Sequence, residues 1–387
     1  MSSIPSLSQP RATGVRSRAG LLAGVLAVAA LAGCASGPDK PKPAPLEPIA
    51  RPMAGRVVWQ QRVDSVQFPL VVAVNAGTFT VAGTDGTVLA LQADTGRELW
   101  RASVGARLSA GVGSDGRYAA VVTRSGELVV LEAGRQLWRQ PLGVRVNTAP
   151  LVAGERVFVL GSDRSIHAFD AVDGKSLWVV RRPGEPLTLS QGSVLAPFKN
   201  TLVVGQGARL AGVDPANGSV RWEVPVATPR GTNEIERLAD LVGPAVRQGD
   251  IFCARAFQAA VGCVNAERGA LVWSKNQGGL TGVAGDADLV AAADASDRIT
   301  AWKAASGEVA WSSEKLLYRS LGAPVLVGGA LVFGDAEGTV HFLSRDDGAS
   351  RLRLATDGSP VVGTPALAGT TMLVVTRNGG LYAMRPE

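Results

Sequence analysis

The sequence predicts an all-β chain that closes into an eight-bladed propeller of four-stranded antiparallel blades, and three observations carry that prediction. The first is a repeat: Gly55, Gly96, Gly134, Gly174, Gly218, Gly269 and Gly307 stand four residues ahead of Trp59, Trp100, Trp138, Trp178, Trp222, Trp273 and Trp311, and an eighth copy pairs Gly348 with Leu352. The intervals between the glycines, 41, 38, 40, 44, 51, 38 and 41 residues, each fit one blade. The second is the pattern inside each period, where short apolar runs alternate with turn residues and helical periodicity is nearly absent. The third is that the chain ends fit each other. The sequence stops at Glu387 after only three strands of its last blade, while Gly55-Arg56-Val57-Val58-Trp59 is an outer strand with no blade in front of it. Pairing the first strand with the last blade closes the ring and removes an exposed sheet edge.

Taken in order, residues 1–33 begin with an Arg-containing polar stretch and continue as an apolar run from Gly20 to Ala30. This is the pattern of a signal peptide, too short for a spanning helix. Its end, Leu31-Ala32-Gly33-Cys34, resembles the bacterial lipobox, which implies cleavage before Cys34 and acylation of that cysteine. Ala35 follows, and in the lipoproteins this resembles, the absence of Asp there favours the outer membrane. Residues 34–54 hold Pro38, Pro41, Pro43, Pro45, Pro48 and Pro52, the composition of a semi-extended tether. The propeller is expected over residues 55–387.

A single copy shows the internal grammar. In Thr148–Trp178, residues 149–153, 156–160, 165–170 and 175–180 read as four strands, separated by Gly-Glu, Gly-Ser-Asp and Val-Asp-Gly turns. Strands such as Leu202-Val203-Val204 and Leu331-Val332-Phe333 are continuously apolar because a blade is covered on both faces. The tryptophan of each copy falls on the outer strand, where an indole can cover the gap to the next blade. Seven such residues are mortar between blades rather than a cofactor box.

Charge narrows the partners. Of the net +6, three charges are Arg11, Arg16 and Arg18, and no acid precedes Cys34, so the mature chain carries +3, too little to argue for nucleic acid. Cys253 and Cys263 remain beside Cys34, an even pair in an oxidising compartment. They fall on the second and third strands of one blade and are either a disulfide across a hairpin or two buried thiols, as register decides. His167 and His341 lie on third strands of different blades and read as structural residues, not a metal pair. No nucleophile elbow, phosphate loop or His/Cys metal spacing occurs, so no catalytic residue, metal or cofactor is expected.

The stretch Ala93-Asp94-Thr95-Gly96-Arg97-Glu98-Leu99-Trp100 and its copies resemble the quinoprotein-like propeller repeat family. One branch, the quinone- and calcium-dependent dehydrogenases, carries a vicinal cysteine pair; here the two cysteines are ten residues apart. The other branch, the outer-membrane lipoproteins of the β-barrel assembly machinery, is matched from the lipobox to Glu387. Two stretches carry the local match: Pro186-Leu187-Thr188-Leu189, and Gly231 to Asp240 in the widest interval. The resemblance implies a non-enzymatic lipoprotein scaffold on the periplasmic face of the outer membrane. It also implies docking on the periplasmic domains of the barrel-inserting subunit BamA through Leu187, Leu189, Arg237 and Asp240. Companion lipoproteins and unfolded outer-membrane proteins are the further partners it implies. Ser190 and Val242 depart from the family's Arg and acid at those places. The leucines have a second reading, as plugs of the gap beneath their loop. Two rivals stand beside this function: a periplasmic quinone- and calcium-dependent dehydrogenase, and a lipoprotein propeller for another envelope partner.

Overall fold

A computed structural model describes residues 41–183 and 187–387, so the signal peptide and Cys34 lie outside it. Residues 43–387 form one compact unit. All regular structure among the described residues is strand, 32 strands in eight four-stranded sheets. Blades 1 to 7 span residues 73–103, 113–141, 151–180, 195–225, 241–275, 284–313 and 325–355, each laid out in chain order from inner to outer strand. Blade 8 takes three strands from residues 361–386 and its outer strand from Gly55–Arg62. That N-terminal strand pairs antiparallel with the last one, from Gly55 opposite Pro386 to Arg62 opposite Gly380, so the ring closes as the chain ends require.

There is no single core. Eight apolar clusters fill the eight wedges between neighbouring blades, from Val63, Phe79 and Leu381 between blades 8 and 1 to Cys263, Trp273 and Trp302 between blades 5 and 6. Middle strands such as Tyr118–Val122 are buried at every position because each serves two wedges. A blade thus has no solvent-facing side along which alternation could appear.

The Gly–Trp repeat is a chain of contacts from one blade to the next. A Cβ on Gly174 would lie 2.6 Å from the Trp138 ring, and one on Gly96 would lie 2.6 Å from Trp59. Every turn glycine of the repeat receives the tryptophan of the blade before it, and Gly55 receives Leu352. The indoles of Trp59, Trp138, Trp178, Trp273 and Trp311 also donate to carbonyls in the neighbouring turn, at 2.7–3.0 Å. Glycine is required because the ring lies where a side chain would begin, and because these turns run at positive φ, 73° at Gly174.

Two rims follow from up-and-down connectivity. One, the glycine rim, carries these third-to-fourth-strand turns. The other, the connection rim, carries the links between blades and the second-to-third-strand turns. Residues 44–54, part of the stretch read from composition as a semi-extended tether, lie against blade 7. The Ala44 amide donates to Leu317 O and the Met53 amide to Arg351 O, both at 2.9 Å.

Candidate docking site on the connection rim

The link between blades 3 and 4 carries Leu187 and Leu189, and the link between blades 4 and 5 ends at Asp240. The fold brings these together although they are about fifty residues apart in the chain. Asp240 Oδ2 accepts the Leu189 amide at 2.9 Å, and Asp240 Oδ1 accepts Arg164 Nη2 at 3.3 Å. Thr188 Oγ1 donates to Ser162 O at 3.0 Å, tying the same loop to the second-to-third-strand turn of blade 3. The Asp240 and Arg164 side chains are only 14% and 15% exposed. Asp240 is therefore the post on which the leucine loop hangs, at the back of the surface rather than on it. An ion pair this well covered is shielded from the screening that weakens exposed pairs.

The two leucines differ in exposure. Leu187 is 38% exposed, while Leu189 is half-buried and lines the depression floored by Asp240, Arg164 and Leu241. The first stands out from the rim, and the second turns toward the depression beneath the loop. Gly184, Glu185 and Pro186 lie outside the described residues.

The longer link, 226–240, rises to a self-capped turn. The Asn233 Oδ1 accepts the Glu236 amide at 2.9 Å, and the Glu236 carboxylate accepts the Thr232 amide at 2.7 Å and the Thr232 hydroxyl at 3.0 Å. This is the reciprocal logic of a capping box, and the Thr232 bonds hold the Glu236 carboxyl below its ordinary range. Arg237 is half-buried at the back of the turn, and Ile235, which sequence reasoning passed over, stands at its tip 76% exposed. Its signal was a lone aliphatic residue among six polar or charged residues and one glycine in Arg230–Arg237.

Arg164 was also missed, though the repeat pointed to it. The fourth position of the second-to-third-strand turn is Gly86, Gly126, Gly338 and Gly379 in blades 1, 2, 7 and 8, all at positive φ. Blade 3 places Arg164 there at φ 64° and blade 6 places Asp297 at φ 66°. A side chain in that conformation costs about 1–2 kcal/mol, so a non-glycine in a glycine slot marks a residue wanted for its side chain. The departures from the family are equally physical. Val242 is buried inside the blade 5 ladder opposite Arg255, where an acid would be interred, and Ser190 is exposed.

Away from the rim, Cys253 and Cys263 are disulfide-bonded directly across the second and third strands of blade 5. His167 Nε2 bonds Ser165 Oγ at 2.8 Å, and burial pushes its pKa down; His341 Nε2 bonds Asp335 at 2.9 Å. They sit in blades 3 and 7. Among the described residues no group of His, Cys, Asp or Glu is arranged to hold a metal ion.

Eight blades locked by a glycine-under-tryptophan repeat, with two links hydrogen-bonded to each other on one rim, define a quinoprotein-like propeller. Known proteins give the same answer. A crystal structure of BamB from Moraxella catarrhalis superposes with a TM-score of 0.77 at 22% identity, covering 86% of this chain and 100% of that one. The quinohemoprotein alcohol dehydrogenase of Comamonas testosteroni superposes at 0.64 with 15% identity, covering 86% of this chain and 76% of that one, a likeness of fold alone. The family model described as "Outer membrane protein assembly factor BamB" matches residues 50–107 and 84–313. The protein of that name from Burkholderia pseudomallei is 37% identical over 368 residues, 93% of this chain and 96% of its own. The chain belongs to the BamB family of outer membrane protein assembly factors.

Proposed function

We propose that this protein is a non-enzymatic scaffold subunit of the outer-membrane β-barrel protein assembly complex. It is held at the periplasmic face of the outer membrane by acylation of Cys34 and docks on the periplasmic domains of BamA through the crossed links of the connection rim. There it works beside companion lipoproteins and assists delivery and insertion of unfolded outer-membrane proteins. Leu187 is the apolar anchor, Asp240 and Leu189 hold its loop, and Arg237 braces the neighbouring turn. The observation that carries this reading is the Leu189–Asp240 bond, because it joins into one rigid surface the two stretches that match the family locally. A loop already held by hydrogen bonds loses less entropy on binding, and an exposed apolar side chain on a loop-bearing rim marks a surface for a partner.

The test is co-purification. Leu187→Glu with Leu189→Glu is expected to abolish recovery of BamA with the tagged lipoprotein while the folded β-sheet signal persists. Intact recovery from a folded double variant would refute the interface.

A further inference from the structure

Blade 7 departs from its siblings on its outer edge. The outer strands of blades 1, 3 and 6 alternate between exposed and half-covered positions, whereas Ser350–Leu354 of blade 7 is half-buried at every position. The cover is residues 44–54, and the seat beneath them is built from charged groups. Arg319 Nη1 donates to Ala44 O at 3.2 Å, and Arg353 Nη1 donates to Glu47 O at 2.7 Å. The Glu47 carboxylate lies 3.2 Å from Lys315 Nζ. At the far end Met53 joins the apolar group of Val57, Leu352 and Leu354, in the one blade whose repeat carries leucine in place of tryptophan.

The loop that aims Arg319 is strained. Tyr318 and Ser320, on either side of it, have φ 60° and 54°. Asp297, the other non-glycine in a glycine slot, accepts the Ser320 amide at 2.6 Å and the Leu321 amide at 2.9 Å. Burial raises the Asp297 carboxyl even so. Arg319 itself is 5% exposed, held by Asp335 at 2.8 Å and by Glu337, and His341 shares the Asp335 oxygen. Left-handed non-glycine residues persist only where the surroundings enforce them, and they gather at functional sites. Burial and then the nearby Arg319 charge push the Arg353 pKa down, while Glu47 pushes it up. Two crowded guanidinium groups thus meet a strap that brings carbonyl oxygens and a carboxylate.

We propose that residues 44–54 are a seated strap that leaves only residues 35–43 between the lipid anchor and blade 7, with the chain leaving the propeller on the connection rim. The proposal rests on Cys34 being the acylated residue. Nine residues span at most about 30 Å, against roughly 70 Å for all the residues up to Gly55. The strap therefore keeps the propeller close under the leaflet, with the rim that carries Leu187 as the rim from which the anchor leaves.

The experiment is hydrogen exchange on the mature lipidated chain in phospholipid vesicles, with Arg353→Ala and, as a second variant that removes only a main-chain donor, Ala44→Pro. The Ala44 and Met53 amides are expected to exchange at least tenfold more slowly than that of Lys42, and either variant to abolish the difference at the remaining strap amide. Energy transfer from a headgroup dye to a dye at Ser190→Cys is expected to report a mean separation larger by about 8 Å in Arg353→Ala. Strap amides exchanging as fast as Lys42 in the wild type, or unchanged separation in both variants, would overturn the strap. An N-terminal peptide lacking lipid mass at Cys34 would sink the anchor instead, a failure distinguishable from loss of protection.

Discussion

On the glycine rim the same contact recurs: in seven wedges a turn glycine lies under the tryptophan ring of the blade before it, and in the eighth the strand residue Gly55 lies under Leu352. On the connection rim the blades diverge. Four second-to-third-strand turns keep a glycine at the fourth position, while Arg164 and Asp297 replace it in two others, and there the substituted side chain itself bonds a link between blades. The same repeat thus yields a uniform rim that holds the ring together and an irregular one free to vary. Stability is expected to reside on the first and recognition on the second.

The comparison breaks most severely if closure is removed. Deleting residues 55–66 strips blade 8 of its outer strand, opens the edge of Gly380–Pro386 and takes Trp59 from its seat at Gly96. An open edge templates intermolecular pairing, so the deletion is expected to elute as soluble aggregate in size-exclusion chromatography; a monomer with unchanged melting temperature would show that closure is dispensable.

A change confined to the glycine rim should damage the fold alone. Trp138 is 9% exposed and donates to Ala171 O at 2.8 Å. Trp138→Ala is expected to cost about 3–5 kcal/mol in denaturant unfolding while the folded fraction still binds BamA with wild-type affinity. Weakened binding at matched folded concentration would blur the division between rims.

The smallest expected effect on stability comes from the other rim. Arg164→Gly relieves a left-handed side chain, worth about 1–2 kcal/mol, and removes the Asp240 ion pair, so the two terms nearly offset in thermal unfolding. The leucine loop loses a brace, and affinity for the BamA periplasmic domains is expected to fall about tenfold, or about 1.4 kcal/mol. Calorimetry of both variants separates the rims: Trp138→Ala moves stability, Arg164→Gly moves binding.

Legibility in the sequence follows the same division. The blade count, the strand order within Thr148–Trp178 and the closing strand were readable because the glycine rim repeats its chemistry at every blade. The sequence could place Leu187, Leu189 and Asp240 on the right links, yet it could not say that Asp240 is largely covered or that the two leucines part company. Those facts depend on contacts between links about fifty residues apart, which no local pattern encodes. Arg164 was visible only as a break in the glycine slot. The strap was hidden by composition, since a proline-rich segment reads as a tether whether or not guanidinium groups from blade 7 are waiting for its carbonyls.

Site-specific photocrosslinking tests the central claim most directly. A photoreactive residue at position 187, on the connection rim, is compared in cells with one at position 217, in an exposed glycine-rim turn beside the same wedge. The account predicts a BamA adduct from 187 and none from 217. Adducts from 217, or from both rims alike, would contradict it.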